Sequence, residues 1–330
     1  MKKKSQKLSR SKNNLSALSE WRAVILWAIV ILFPIIDRNP YHIDVIVGAG
    51  IFIMLALGLN VIMGYAGILN LGYAALFAIG AYTYALLNIH FHIPFWLGLI
   101  FSAVSAALFG VILAFPALRL SGDYIAIVTL GAGEIVRIVL NNADPVTGGP
   151  NGLLGIDHPG FFGYNFGVKS EPYYYLILVL VGGLLFVLRR LEFSRLGRAW
   201  IALREDELAA SCMGINPVWT KLSAFAIGGF VAGLAGCVFA AKQGTVSPDS
   251  FDFIVSVMVV SMVVLGGLGN TAGVILGALV LSILPELLRG FDTYRMLFFG
   301  IAMILIMLFR PQGILGEIRH KGEFAERGER

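Results

Sequence analysis

Charge is what this sequence has least of. Of its 330 residues only 14% are Asp, Glu, Lys or Arg, and residues 45–118 contain none. Soluble domains carry about 25% charged residues, so water is excluded as the main solvent of this chain. A charge-free stretch of that length covers roughly three membrane crossings of about 20 residues each. Cysteine is almost missing too. Cys212 falls in a polar connection and Cys237 in an apolar run, which excludes a disulfide framework and leaves neither with metal-ligand neighbours. No Gly-x-x-x-x-Gly-Lys-Ser/Thr segment occurs, so the chain is not expected to hydrolyse ATP unaided. Gly131, Ala132 and Gly133 sit inside an apolar span rather than after a strand, and do not form a dinucleotide fingerprint. The five histidines fall in loops or at span ends, and no nucleophile, acid–base pair or metal cluster gathers as an intramembrane enzyme would need.

What is present in quantity is apolar surface and glycine. Hydrophobic residues make up 58%, and 39 glycines lie mostly inside apolar runs, where small residues let helix backbones approach closely. Apolar runs between charges and turn residues give an all-α, polytopic transmembrane bundle of about ten spans, near residues 21–36, 45–63, 73–89, 95–117, 124–140, 173–188, 222–241, 254–269, 272–288 and 296–309. The basic start, Lys2 to Lys12, ahead of the first apolar run is not followed by a small-residue cleavage site but by Asp37-Arg38-Asn39-Pro40, so that run reads as a retained span.

Lys and Arg then orient the bundle. With the N-terminus inside, 19 of the 25 fall on cytoplasmic segments; Arg38, Lys169, Lys242, Arg289 and Arg295 fall outside and Arg137 within a span. Both termini are expected in the cytoplasm. The expected organisation is a basic cytoplasmic tail at 1–20, a transmembrane domain at 21–309, and a cytoplasmic tail at 310–330. Within the domain lie a structured, Gly/Pro/Asn-rich outer loop at 141–172 and a cytoplasmic loop at 189–221.

The inner loop holds a helix-forming run at 199–213, closed by Gly214 as C-cap with Pro217 beyond. Acids at Glu205, Asp206 and Glu207 and bases at Arg195, Arg198 and Arg204 suit either a charged anchor or a docking helix. Elsewhere, Asn60 and Asn70 flank an inner Gly-rich turn and are candidate pathway or gate residues, against a simpler reading as turn and packing residues. Glu134 and Arg137, three apart in the fifth span, suit a self-neutralising pair or a polar lining of the pathway, because ionisable groups within a span are costly. Glu286 and Arg289 read as interfacial anchors. Gly269, Gly273 and Gly277, and Gly229 and Gly233, recur every four residues and read as packing seams.

Two resemblances extend this reading. Ala209, Ala210 and Gly214 resemble the loop that importer permeases of the ATP-binding cassette class lay into their ATPase subunits, which implies that a bulky residue at Ala210 clashes with an ATPase groove. In the usual pattern the acid directly precedes the two alanines; here Glu207 stands one place early, with Leu208 between. Residues 64–72 (GYAGILNLG), 122–131 (GDYIAIVTLG), 147–152 (TGGPNG), 198–207 (RAWIALREDE) and 264–269 (VLGGLG) resemble the LivM-type branched-chain amino acid permeases. That resemblance implies a subunit of an importer in the bacterial inner membrane, without a cofactor of its own or nucleic acid. Its implied partners are a second, LivH-like permease, two cytoplasmic ABC ATPase subunits, a periplasmic or lipid-anchored binding protein and the lipid bilayer. The alternative is an ion-coupled secondary transporter of small amino acids or amides, which needs an unpaired carboxylate near the midplane.

Overall fold

The computed structural model describes residues 39–118, 122–161, 164–167 and 169–287, with Phe33, Pro34, Asp37, Leu120, Gly300, Ile304 and residues 313–315 at isolated positions. The expected spans at 21–36 and 296–309 and both tails lie outside the described residues apart from those positions. Among the described residues, seven helices are long and apolar enough to cross a membrane, and an eighth apolar helix is shorter.

Helix α1 (Pro40–Leu59) begins where the Asn39 side chain accepts a hydrogen bond from the Tyr41 N–H at 3.1 Å and Pro40 takes the first helical position. It therefore starts earlier than the apolar run at 45 suggests. Its last residues widen into a π-helical turn (Asn60–Tyr65). The chain then runs back without helix and is pinned on the way: the Leu71 N–H donates to Thr129 Oγ1 at 3.1 Å and the Gly72 N–H to Asn70 Oδ1 at 2.9 Å. Helix α2 (Tyr73–Phe91) starts within the bundle, with the Tyr73 hydroxyl donating to the Gly228 carbonyl at 2.8 Å. Helices α3 (Phe95–Ala117) and α4 (Asp123–Asn142) follow, then a single-turn helix α5 (Asp144–Thr147), then α6 (Ser170–Glu192), α7 (Arg195–Glu205), α8 (Glu207–Cys212), α9 (Pro217–Gln243), α10 (Phe253–Gly266) and α11 (Thr271–Leu287). The connection from α4 to α6 is structured: β1 (Leu153–Leu154) pairs antiparallel with β4 (Thr245–Val246), and β2 (Gly160–Phe161) with β3 (Tyr164–Asn165).

The core is organised on α9. Its 27 residues span about 40 Å, separating the end that carries α7 and α8 from the end that carries the strands. A Cβ on Gly229 would lie 2.5 Å from the Ala106 carbonyl oxygen, and one on Gly233 only 2.3 Å from that of Ser102, so α3 and α9 touch backbone to backbone. That seam agrees with the four-residue glycine spacing. The other ladder needs correcting. Gly273 and Gly277 do press α11 against Gly266 and Met262 of α10, but Gly269 lies in the α10–α11 turn with φ 79°. The helix expected to continue to 269 ends at Gly266, because Asn270 starts a new one by capping the Gly273 N–H at 3.1 Å.

Close backbone contact at the α3–α9 seam makes a specific demand. Gly233→Leu is expected to destabilise the protein by on the order of 3 kcal/mol and to abolish a monodisperse peak in detergent size-exclusion chromatography. Gly183→Leu, where the new Cβ meets nothing within 4 Å, serves as the control and is expected to elute normally.

Candidate functional site

The polar connection after α6 folds as two helices rather than one. Ser194 Oγ accepts from the Gly197 N–H at 3.2 Å and starts α7. The continuous helix expected over 199–213 is interrupted at Asp206, which is extended (φ −159°, ψ 113°) and whose Oδ1 accepts from the Ala209 N–H at 2.9 Å. Asp206 is therefore an N-cap, and the acidic cluster is in part a helix start. At the far end Gly214 takes φ 85° and the Ile215 N–H bonds back to the Ala210 carbonyl at 3.1 Å, a left-handed C-cap that supports the expected role of the glycine. Asn216 then caps α9.

Three contacts hold α7 and α8 against the bundle. Fully buried Trp200 donates from Nε1 to the Thr220 carbonyl at 3.1 Å and to Ser223 Oγ at 3.0 Å. Glu207 Oε1 lies 2.7 Å from Lys221 Nζ, an ammonium whose side chain is nearly covered. Arg204 Nη1 donates to the Gly64 carbonyl at 2.6 Å, in the π-helical turn of α1. That turn is itself tied further in. Asn60 Oδ1 accepts from the Gly269 N–H at 3.0 Å, and the Tyr65 hydroxyl lies 2.9 Å from Thr271 Oγ1 and donates to Glu192 Oε2 at 3.3 Å. One site thus joins the ends of α1 and α6, helix α7 and the α10–α11 turn.

Of the sequence candidates, Asn60, Asp206, Glu207 and Gly214 belong to this site as bonded or capping residues. Glu205 and Ala209 are exposed beside it. Ala210 is only 4% exposed, so its small size is required by the chain's own packing, and a bulky residue there would disrupt α8 before any partner met it. The outward surface includes large apolar side chains as well: Leu208 is 76%, Met213 83% and, at the start of α9, Trp219 71% exposed. Asn70 is buried elsewhere, at the entry to α2, with its Nδ2 lacking a hydrogen-bond partner. Glu134 and Arg137 pair on α4, Nε to Oε2 at 3.0 Å, and Arg137 Nη1 also lies 3.9 Å from Asp249. Sequence reasoning missed Arg204 as a link, because a contact 140 residues apart leaves no periodic trace, and Lys221 as the partner of Glu207, because the two stand 14 positions apart on different helices with the turn at Gly214 between them.

A mainly helical, multi-pass bundle with a polar helical elbow fixed to one end places the chain among polytopic membrane proteins. The chain belongs to a known family of these: a family model described as "Branched-chain amino acid transport system / permease component" matches residues 41–307. It is 48% identical over 295 residues to the high-affinity branched-chain amino acid transport system permease proteins LivM of Salmonella typhimurium and of Escherichia coli, covering 83% of this chain and 69% of each relative. It is 25% identical over 284 residues to the corresponding LivH of Escherichia coli, covering 80% of this chain and 91% of that protein. No solved structure matches it.

The Glu207–Lys221 pair gives an asymmetric expectation. Glu207→Ala leaves a covered cation unpaired and should cost about 1 kcal/mol, the acid being half exposed. Adding Lys221→Met should recover most of that. Thermal unfolding in detergent checks both, and a single variant as stable as the parent would show that the pair does not hold α8.

Proposed function

We propose that the chain is the permease subunit of an ATP-driven importer that, with a second, LivH-like permease, forms the pathway for branched-chain amino acids across the bacterial inner membrane. In this reading both termini and the α7–α8 elbow are cytoplasmic, as the Lys and Arg distribution favours. Of the importer's two ABC ATPase subunits, one engages the elbow, and a periplasmic or lipid-anchored binding protein delivers cargo at the end carrying the strands. The observation that carries the reading is the elbow. It is anchored to α1 and α9 by Arg204, Trp200 and Glu207, while Leu208 and Met213 are turned outward on a segment too polar to enter lipid, with Trp219 exposed beside them in the first turn of α9. Large exposed apolar side chains around a compact helix suit a protein partner.

The same arrangement explains why the acid precedes the alanines by one extra position. Glu207 serves Lys221 inside the chain, and Leu208, not the acid, is presented outward. An ion-coupled mechanism is disfavoured by family membership and by Glu134, whose carboxylate is engaged by Arg137.

The test uses the assembled importer. A tagged copy, gently solubilised, should bring down two ATPase subunits and a second permease. Leu208→Asp and Met213→Asp should leave membrane insertion unchanged yet reduce substrate-stimulated ATP hydrolysis by roughly tenfold. Normal stimulation in both variants would remove the elbow as the docking element.

A further inference from the structure

At the end of the bundle opposite the elbow, α1, α2, α9, α10 and α11 line a half-open cavity of about 480 Å³, with Ile254 exposed on its α10 wall, within the usual range of small-molecule sites, roughly 300–1,000 Å³. Its wall is apolar and aromatic, with Phe52, Phe77 and Phe239 among the lining residues. Asp44, Lys242 and Glu286 also line it, near the helix ends on that side. Lys242 Nζ is 2.8 Å from Asp44 Oδ1, which also accepts from Ser170 Oγ at 2.8 Å. Charges of both signs thus stand beside an apolar chamber that extends along α1 as far as Leu55.

Gly48 contributes to the open space. It lines the cavity from within α1, and a Cβ built on it would meet nothing within 4 Å. Glycine inside a helix is less stable than alanine, and neither packing nor backbone angle requires glycine here, since its φ is not positive. A side chain added there starts in the space that the cavity occupies.

We propose that this cavity is a station for the cargo within this subunit: an α-amino acid whose apolar side chain enters among Phe52, Phe77 and Phe239. Its carboxylate takes Lys242 and its ammonium takes Asp44. The proposal rests on the reading of the chain as an amino-acid permease. The exchange is balanced in charge, because one protein ion pair opens and two protein–ligand pairs replace it, so no charge is left unpaired next to the apolar wall. An uncharged sugar brings no counter-charges and leaves the Lys242–Asp44 pair closed, and a singly charged ion that opened it would leave one of the two groups without a partner of opposite sign. A branched aliphatic side chain supplies the apolar surface that the wall covers.

The test is a graded filling of the cavity at Gly48 in the complete importer, reconstituted in lipid vesicles with its ATPases and binding protein. Gly48→Ala, Gly48→Leu and Gly48→Phe should reduce uptake of radiolabelled leucine progressively, by roughly tenfold or more at Phe, with uptake of the smaller alanine less affected. Complex yield and unstimulated ATP hydrolysis should not change. Lys242→Gln and Asp44→Asn should each raise the leucine concentration needed for half-maximal uptake. Equal uptake and size preference across the Gly48 series would overturn the proposal and leave the permease reading standing. Loss of complex yield at Gly48→Phe would also overturn it, by making this face an assembly or lipid surface. A parent complex that moves no amino acid would overturn both.

Discussion

The carbonyl of Gly64 is the point on which the mechanics of this protein turn. It belongs to a π-helical turn, a wider and less favourable winding than the α-helix it continues, and such turns persist only where surrounding contacts hold them. Here those contacts are Arg204 on the carbonyl itself, the Gly269 N–H on Asn60, and Thr271 and Glu192 on Tyr65. A regular α-helical end would not present this set of groups in the same directions. The turn brings segments as far apart in the chain as Asn60 and Gly269 into direct hydrogen bonding.

From that junction the connections run two ways. Toward the elbow, Arg204, buried Trp200 and the Glu207–Lys221 pair tie α7 and α8 to the ends of α1 and α9. Toward the bundle, Asn60 and Tyr65 grip the α10–α11 turn, and α11 is pressed on α10 through Gly273 and Gly277. In the importer reading, a displacement of the elbow is passed directly to α1 and to the α10–α11 hairpin, two of the elements that wall the cavity near Asp44 and Lys242. Rigid elements and hydrogen bonds in contact supply a physical route for that coupling.

Much of this was legible in the sequence, and the failures share a cause. Helices lie where eight of the apolar runs predict them, because a span needs about 20 apolar residues and little else in the chain has that character. The α3–α9 seam was legible in the spacing of Gly229 and Gly233, since close approach admits few other side chains. Boundaries shifted where a single polar residue acts as a cap. Asn39 begins α1 early, Asp206 divides the inner helix and Asn270 ends the glycine ladder. Asp206 was read for its charge and Asn39 and Asn270 were left between spans, whereas each works on the backbone as a cap. Asn60 was singled out as a polar group beside a turn, but its partner Gly269 and the role of Arg204 depend on long-range contacts that composition and periodicity do not encode. Ala210 was read as facing a partner and is buried, because one turn of helix decides which of two adjacent alanines points outward.

The central claim is that Arg204 joins the elbow to the π-helical turn and thereby couples it to the bundle. The most direct measurement compares ATP hydrolysis with amino-acid uptake in the reconstituted importer carrying Arg204→Ala. The account predicts that assembly and unstimulated hydrolysis stay at the parent level while uptake per ATP hydrolysed falls by roughly tenfold. Uptake per ATP equal to that of the parent would contradict it.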